Sequence, residues 1–114
     1  MLSLSLPPAL NDMYRPNFGN KKGVRKTDEC EAWEQEVKLM ARFHKPWPKE
    51  TPVVMRVRIF YKFDRDIDSS QKALQDCLQG YMYENDSQIV ELLITKEKDL
   101  KNPHLEVEVS AILP

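Results

Sequence analysis

Apolar and polar residues alternate in three stretches of the chain. Leucine alternates with serine over residues 2–6, valine, methionine, isoleucine and aromatic residues take every second position over 53–63, and leucine and valine alternate with glutamate over 105–111. This period of two predicts three strands that each bury one face. Residues 89–95 are mostly apolar, which predicts an interior strand buried on both faces.

Two other stretches carry apolar residues three or four positions apart, the spacing of helices buried on one side. The first helix is expected to run from a cap at Thr27 or Asp28 to about Phe43, and the second to begin near Ser69. The predicted buried stripes consist of Trp33, Val37, Met40 and Ala41 in the first helix and of Ala73, Leu74, Cys77, Leu78 and Tyr81 in the second. We expect Trp33 and Met40 to pack in the core or in a dimer interface.

The composition is that of a globular domain, with 41% hydrophobic and 31% charged residues among 114. That length predicts one domain over residues 1–114, of the α/β (α+β) class, with a small mixed sheet of about four strands and two main helices. Cys30 and Cys77 lack metal-ligand spacing and are too few for a disulfide framework, so we expect free thiols in a reducing cytoplasm. No stretch has the features of a signal peptide or membrane span.

The formal net charge of −1 argues against a protein that coats DNA, so a nucleic-acid partner would have to be met by a local basic patch. Residues 14–26 provide one, with no acidic residue among them, and the stretch 11–26 is predicted to form a mobile basic loop. Its candidate DNA-binding residues are Tyr14, Arg15, Lys21, Lys22, Arg25 and Lys26. On composition alone, a solvated loop explains this stretch equally well.

Asp64, Asp66 and Asp68 occupy alternate positions directly after the second alternating stretch. Carboxylates this close repel one another and need a counter-charge, and Mg²⁺ or Mn²⁺ prefers oxygen ligands. Lys72 lies one helical turn beyond Asp68, and Asp86 precedes the next strand. If the two strands are neighbours, these groups converge and suit metal-assisted hydrolysis of a phosphodiester.

Helix capping is the structural alternative, because aspartates in a turn before a helix are commonly solvated caps. A calcium-binding loop is excluded, since Ser69 stands where that loop needs glycine and Gln75 where it needs glutamate. With only 3 glycines and no Ser/His/Asp or Cys/His set, neither a phosphate-cradling loop nor a catalytic triad can be assembled.

Three short motifs and their spacing are more specific than any one of these residues. They are Arg65-Asp66-Ile67-Asp68, Gln71-Lys72-Ala73 and Asn85-Asp86-Ser87-Gln88-Ile89-Val90, with Leu6-Pro7-Pro8, Asn11 and Tyr14-Arg15 near the start of the chain. This set resembles the RusA family of Holliday junction resolvases. The chain departs from the family pattern at Ser69, where asparagine is usual, and at Asn85, where an acid is common. Neither departure removes a proposed ligand.

The resemblance implies a homodimeric fold that resolves four-way DNA junctions with Mg²⁺, for which Mn²⁺ can substitute, and without an organic cofactor. It assigns Asp66, Asp68 and Asp86 as metal-binding catalytic carboxylates and Lys72 as the catalytic lysine. Arg65 is assigned as a phosphate contact, and the basic loop is interpreted as DNA-binding.

A two-fold dimer would present two sites to the two symmetry-related strands of a junction, which predicts paired symmetric nicks. A narrower alternative is a metal nuclease whose true substrate is a replication fork or flap. Two others belong to other classes of protein. One is a non-catalytic protein that binds branched DNA with a decayed metal site. The other is a small structural protein whose aspartates cap a helix.

Overall fold

A computed structural model of the protein describes residues 1–8, 14–16, 24–68 and 70–112. In chain order the elements within these ranges are β1 (Leu2–Leu4), β2 (Tyr14–Pro16), β3 (Val24–Lys26), α1 (Asp28–Ala41), β4 (Val53–Tyr61), α2 (Gln71–Leu78), a 3₁₀ turn (Asp86–Gln88), β5 (Ile89–Lys98) and β6 (His104–Ala111). The predicted α+β class is confirmed, with a mixed sheet of four strands and two main helices.

The four-stranded sheet has the order β1-β6-β4-β5. β4 is antiparallel to β6 and parallel to β5, so that Val57 lies opposite Val107 on one side and Ile94 on the other. Parallel neighbours cannot be joined by a tight turn, and the chain must cross over from the end of one strand to the start of the other. Residues 62–88, hereafter the crossover, make this connection. They contain all four of the proposed catalytic residues.

The core lies between one face of this sheet and the two helices. Its sheet side chains are Leu2, Leu4, Met55, Val57, Ile59, Leu105, Val107 and Val109, and its helix side chains are Cys30, Trp33, Val37, Ala41, Leu74, Cys77 and Leu78. Each large apolar side chain fully buried here contributes about 1.5–3 kcal/mol. The opposite face of the sheet carries the ion pair between Arg56 and Glu108, which is half exposed and therefore weak.

The N-cap of α1 is Thr27, one of the two residues that the sequence predicts for it, and its hydroxyl accepts a hydrogen bond from the Cys30 amide at 3.2 Å. Trp33 Nε1 donates to the Ser5 carbonyl at 3.0 Å, which fastens the segment after β1 to the helix. Within the described ranges no helix is both long and apolar enough to cross a membrane.

Both cysteines are free and buried, which confirms the prediction of free thiols. They flank the buried carboxylate of Glu34, with Cys30 Sγ 3.6 Å and Cys77 Sγ 3.5 Å from its oxygens. Lys26 Nζ lies 2.9 Å from the same carboxylate. Burial, with the adjacent Glu34 charge, raises the pKa of Cys30 and raises that of Cys77 to about 12. This cluster joins β3 to both helices.

The segment predicted to be a mobile basic loop contains two short strands, so the prediction of a loop is wrong at β2 and β3. β2 and β3 pair antiparallel, with Tyr14 opposite Lys26. Strands of three residues are too short for an alternating pattern to stand out in a stretch rich in Asn, Gly and Lys. Lys21 and Lys22 lie outside the described residues.

The prediction of an interior strand over residues 89–95 is also wrong, because β5 lies at the edge of the sheet. Val90, Leu92 and Leu93 are 60%, 43% and 55% exposed. A run of apolar residues in the sequence is compatible with an interior strand and equally with an edge strand whose apolar side chains stay exposed. The run alone therefore does not show where the strand lies in the sheet.

Two side chains assigned to buried faces are exposed, Met40 at 43% and Phe63 at 78%. The buried line of α1 runs through Trp33, Val37 and Ala41, and Met40 lies beside this line in the last turn. β4 ends at Tyr61, so the alternation of its side chains no longer fixes the direction of Phe63.

Candidate active site

The acidic segment, residues 64–68, follows β4 and begins beside the edge strand. Lys96 of β5, which is opposite Ile59 of β4, donates from Nζ to Asp64 Oδ1 at 2.8 Å and to the Arg65 carbonyl at 2.9 Å. The hydrogen bond from Lys96 lowers the pKa of Asp64 below its ordinary value of 3.8, and the same bond raises the pKa of Lys96. Lysine therefore supplies part of the counter-charge that the sequence led us to assign to a metal.

The side chain of Arg65 connects this segment to the Pro-Pro motif near the start of the chain. Its Nη1 donates to the Pro7 carbonyl at 2.8 Å, and burial lowers the pKa of the guanidinium. Its buried Nε has no hydrogen-bond partner among the residues that the structure describes. Two of the recognised motifs are thus in direct contact. A phosphate contact by Arg65 stays a prediction.

Asp66 and Asp68 are both exposed to solvent. The Asp68 carbonyl accepts a hydrogen bond from the Gln71 amide at 3.2 Å, which leads the chain into α2. The N-cap residue of α2 is Ser70, and its side chain makes no capping bond. Both carboxylates are consequently open to ligands from solvent.

Lys72 and Asp86 come from opposite ends of the crossover and meet in the structure. Lys72 Nζ lies 2.9 Å from Asp76 Oδ1 and 3.6 Å from Asp86 Oδ2. The hydrogen bond to Asp76, with a smaller contribution from Asp86, raises the pKa of Lys72, so this lysine is charged at neutral pH. Asp76 was not singled out from the sequence, although its i,i+4 spacing from Lys72 was the available signal.

The turn that carries Asp86 is fixed by neutral hydrogen bonds. Gln88, only 5% exposed, accepts from the amides of Glu84 and Asn85, both at 2.9 Å. Its Nε2 donates to the Pro48 carbonyl at 2.8 Å and to the Thr51 carbonyl at 2.9 Å. This network was not foreseen, because a sequence does not show which glutamine is buried.

Asn85, one of the two departures from the family pattern, has a structural role in that turn. Its side chain accepts from the Ser87 amide at 2.9 Å and forms a capping box with Gln88. An asparagine side chain is therefore sufficient to support the backbone beside Asp86. The other departure, Ser69, lies outside the described residues.

Within the described ranges, no group of three or more His, Cys, Asp or Glu side chains is arranged to hold a metal ion. Convergence of Asp66, Asp68 and Asp86 on one ion therefore stays a prediction. The donor chemistry suits Mg²⁺, which takes oxygen ligands and is commonly held by only one or two carboxylates with water and phosphate.

Of the residues predicted to bind DNA, Tyr14, Arg15, Arg25 and Lys26 lie on the paired strands β2 and β3. The Lys26 ammonium forms an ion pair with Glu34, so part of its charge is used to attach β3 to α1. DNA binding by these residues stays a prediction.

A known protein family matches most of the chain. The model of the family described as Endodeoxyribonuclease RusA matches residues 11–110. The chain belongs to the RusA family. Membership implies Holliday junction resolvase activity, and thus nuclease action on branched DNA. No curated protein matches the chain at a significant level.

Proposed function

We propose that this protein is a Mg²⁺-dependent resolvase that cuts Holliday junctions by paired symmetric nicks. The observation that carries the proposal is the approach of Lys72 to Asp86 at 3.6 Å, which joins the two halves of the family motif. Both halves lie on the crossover between two neighbouring parallel strands. A purely structural role as helix caps would not require this approach.

In this proposal Asp66, Asp68 and Asp86 hold Mg²⁺, or Mn²⁺ in its place. When bound, the ion activates water and stabilises the charge of the phosphate group. The ammonium group of Lys72 adds positive charge beside a phosphate oxygen. Attack of a water oxygen on phosphorus breaks the bond to the 3′-oxygen and leaves a 5′-phosphate and a 3′-hydroxyl.

The basic segment around β2 and β3 is proposed to contact DNA phosphates, through Arg15, Lys21, Lys22 and Arg25, with Tyr14 stacking on a base. A local patch is needed because the net charge of the chain is −1. The two free, buried cysteines agree with a reducing cytoplasm as the site of action.

Paired nicks need two sites, and the edge of β5 is the surface we propose for a homodimer. In the part of the chain that the structure describes, β5 has no neighbour on its outer side. Antiparallel pairing of two β5 strands would satisfy their free backbone groups and close the assembly by two-fold symmetry. It would also cover part of the exposed apolar side chains of Val90, Leu92 and Leu93.

The function is tested with a labelled synthetic four-way junction in Mg²⁺, in EDTA and with Asp66→Asn. We expect paired symmetric nicks that disappear in EDTA and in the variant. Asp28→Asn, which changes an exposed aspartate at the start of α1, should cut at the wild-type rate. Equal cutting by Asp66→Asn and Asp28→Asn would contradict the assignment of Asp66.

The dimer is tested by light scattering of Leu92→Lys, with Leu39→Lys as the control. Leu39 is 52% exposed on α1 and Leu92 is 43% exposed, so the control introduces the same charge at an exposed leucine away from β5. Leu92→Lys should be monomeric and Leu39→Lys dimeric. A dimeric Leu92→Lys protein would rule out the β5 edge as the interface.

A non-catalytic protein that binds branched DNA is the second candidate. It is favoured by one observation, that the described residues contain no assembled three-residue metal group. Junction binding without nicks in either Mg²⁺ or Mn²⁺ would establish it in place of the resolvase.

A further inference from the structure

Lys96 lies outside the matched motifs, yet its ammonium group contacts the acidic segment at two points. Nζ donates to Asp64 Oδ1 at 2.8 Å and to the Arg65 carbonyl oxygen at 2.9 Å. We propose that Lys96 is a positioning residue that fixes the acidic segment and thereby determines where Asp66 lies. The proposal rests on the proposed function, in which Asp66 holds the metal.

The hydrogen bond from Lys96 to the Arg65 carbonyl indicates that Lys96 does more than neutralise the charge of Asp64. A lysine that only balanced the charge of Asp64 would need no bond to the backbone. The Arg65 carbonyl and the Asp66 amide belong to one planar peptide unit, so holding the carbonyl restricts the orientation of the whole unit. Lys96 therefore acts on Asp66 through the backbone directly before it.

Arg65 is held from two further directions. Its amide donates to Asp64 Oδ1 at 2.9 Å, and its guanidinium donates to the Pro7 carbonyl at 2.8 Å. The residue before Asp66 is thus fixed by β5 on one side and by the segment after β1 on the other. Asp64 receives hydrogen bonds from Lys96 and Arg65, so it serves as an anchor within the acidic segment.

Because Lys96 and Asp64 are both partly exposed, their role in positioning the acidic segment can be tested without unfolding the protein. The Lys96 side chain is 33% exposed and that of Asp64 is 70% exposed. Ion pairs at this exposure contribute little to global stability. Removing Lys96 should therefore loosen the acidic segment without unfolding the protein. Lys98, two residues further along β5, is the matched control for loss of one lysine charge from that strand.

The test compares Lys96→Met and Asp64→Asn with Lys98→Met. One measurement is the Mg²⁺ concentration for half-maximal junction cleavage, and the other is hydrogen–deuterium exchange of residues 62–70 without metal. Loss of a residue that orients a metal ligand typically weakens metal binding about 10–100-fold, so the first two variants should need at least about tenfold more Mg²⁺. Both should also exchange faster, and Lys98→Met should match the wild type.

Two further variants sharpen the result. The double variant Lys96→Met/Asp64→Asn should be no worse than the more impaired single variant, because both remove the same interaction. Lys96→Arg keeps a charged donor and should recover part of the wild-type Mg²⁺ requirement. A double variant with the two losses added would show that Lys96 and Asp64 act independently, and would overturn the proposal that together they fix the acidic segment.

The proposal is also overturned if Lys96→Met behaves as Lys98→Met does in both measurements, or if exchange rises while the Mg²⁺ requirement stays unchanged. A melting temperature that falls in Lys96→Met but not in Asp64→Asn would place Lys96 in folding instead. If the wild type cuts no junction, the proposed function fails by itself. The exchange data then still decide, in the same comparison with Lys98→Met, whether Lys96 fixes the segment.

Discussion

The acidic segment and the turn at Asp86 lie on the same crossover and are proposed to supply the same site, but they are held by different forces. The acidic segment is held by charged groups near the surface, through Lys96 and Arg65. The turn is held by neutral groups, chiefly the buried side chain of Gln88, which bonds to five backbone groups. One half of the proposed site thus depends on solvent conditions more than the other.

This difference follows from how each interaction responds to its surroundings. Exposed ion pairs are screened by salt and weakened by protonation, whereas buried neutral hydrogen bonds respond little to either. A turn built on neutral bonds keeps Asp86 in place in all conditions that preserve the fold. The charged groups that hold the segment before Asp66 are instead weakened by high salt and by low pH.

Replacing Gln88 should have the largest effect on the free energy of unfolding. It tests whether neutral hydrogen bonds hold the turn at Asp86. Gln88→Leu leaves two amides and three carbonyls without their partner around a side chain that is only 5% exposed. Each unsatisfied group costs about 1–3 kcal/mol, and relaxation recovers part of this, so we expect a loss of about 3 kcal/mol in the free energy of unfolding, measured in urea. The control is Gln35→Leu at an exposed position of α1. Equal stability of the two variants would refute the role of Gln88.

Replacing Arg65 should have a smaller effect on stability. Arg65→Gln loses the bond to the Pro7 carbonyl, and hydrogen bonds to charged groups contribute about 1.5–3 kcal/mol, of which partial exposure leaves about 1–2 kcal/mol. The salt dependence of junction binding distinguishes this role from a phosphate contact. Loss of the predicted phosphate contact would also reduce the slope of log K against log salt by about 0.9. An unchanged slope would contradict that contact and leave Arg65 with the structural role alone.

Lowering the pH should have the smallest effect. It should weaken the contacts that hold the acidic segment and leave the turn at Asp86 unchanged. Because the hydrogen bond from Lys96 lowers the pKa of Asp64, the stability from this pair is complete above the unfolded value of 3.8 and is lost as pH falls through the folded value. The carboxyl ¹³C signal of Asp64 should titrate below 3.8 and shift upward in Lys96→Met. The side-chain amide signals of Gln88 should persist throughout. A titration midpoint of the Asp64 carboxyl group at or above 3.8 would contradict the proposed interaction between Lys96 and Asp64.

The sequence was sufficient for those parts of the fold that depend on a regular period. Alternation located β4 and β6, and the cap at Thr27 located the start of α1. The sequence did not show that β5 lies at the edge, because position within a sheet depends on which strands pair and not on the composition of one strand. It also missed the pairing of β2 with β3, where each strand has only three residues.

The sequence identified the motifs of the proposed site, but it did not identify the residues that hold these motifs in position. The spacing of Asp66, Asp68, Lys72 and Asp86 identified the family, and the structure brings Lys72 to Asp86. Lys96 could not be identified because it reaches the acidic segment only through the register of β4 and β5, across more than 30 residues of chain. The metal ligands and the DNA contacts stay predictions.

The burial of Cys30 and Cys77 has a practical consequence for spectroscopy. Thiolate is the species that reacts with maleimides and spin labels, and both thiols are held protonated and away from solvent. The native protein therefore needs no cysteine removal before labelling. A single cysteine introduced at Leu39, which is exposed on α1 away from β5, would be the fast-reacting thiol, and its label would report the distance between the two subunits of the proposed dimer.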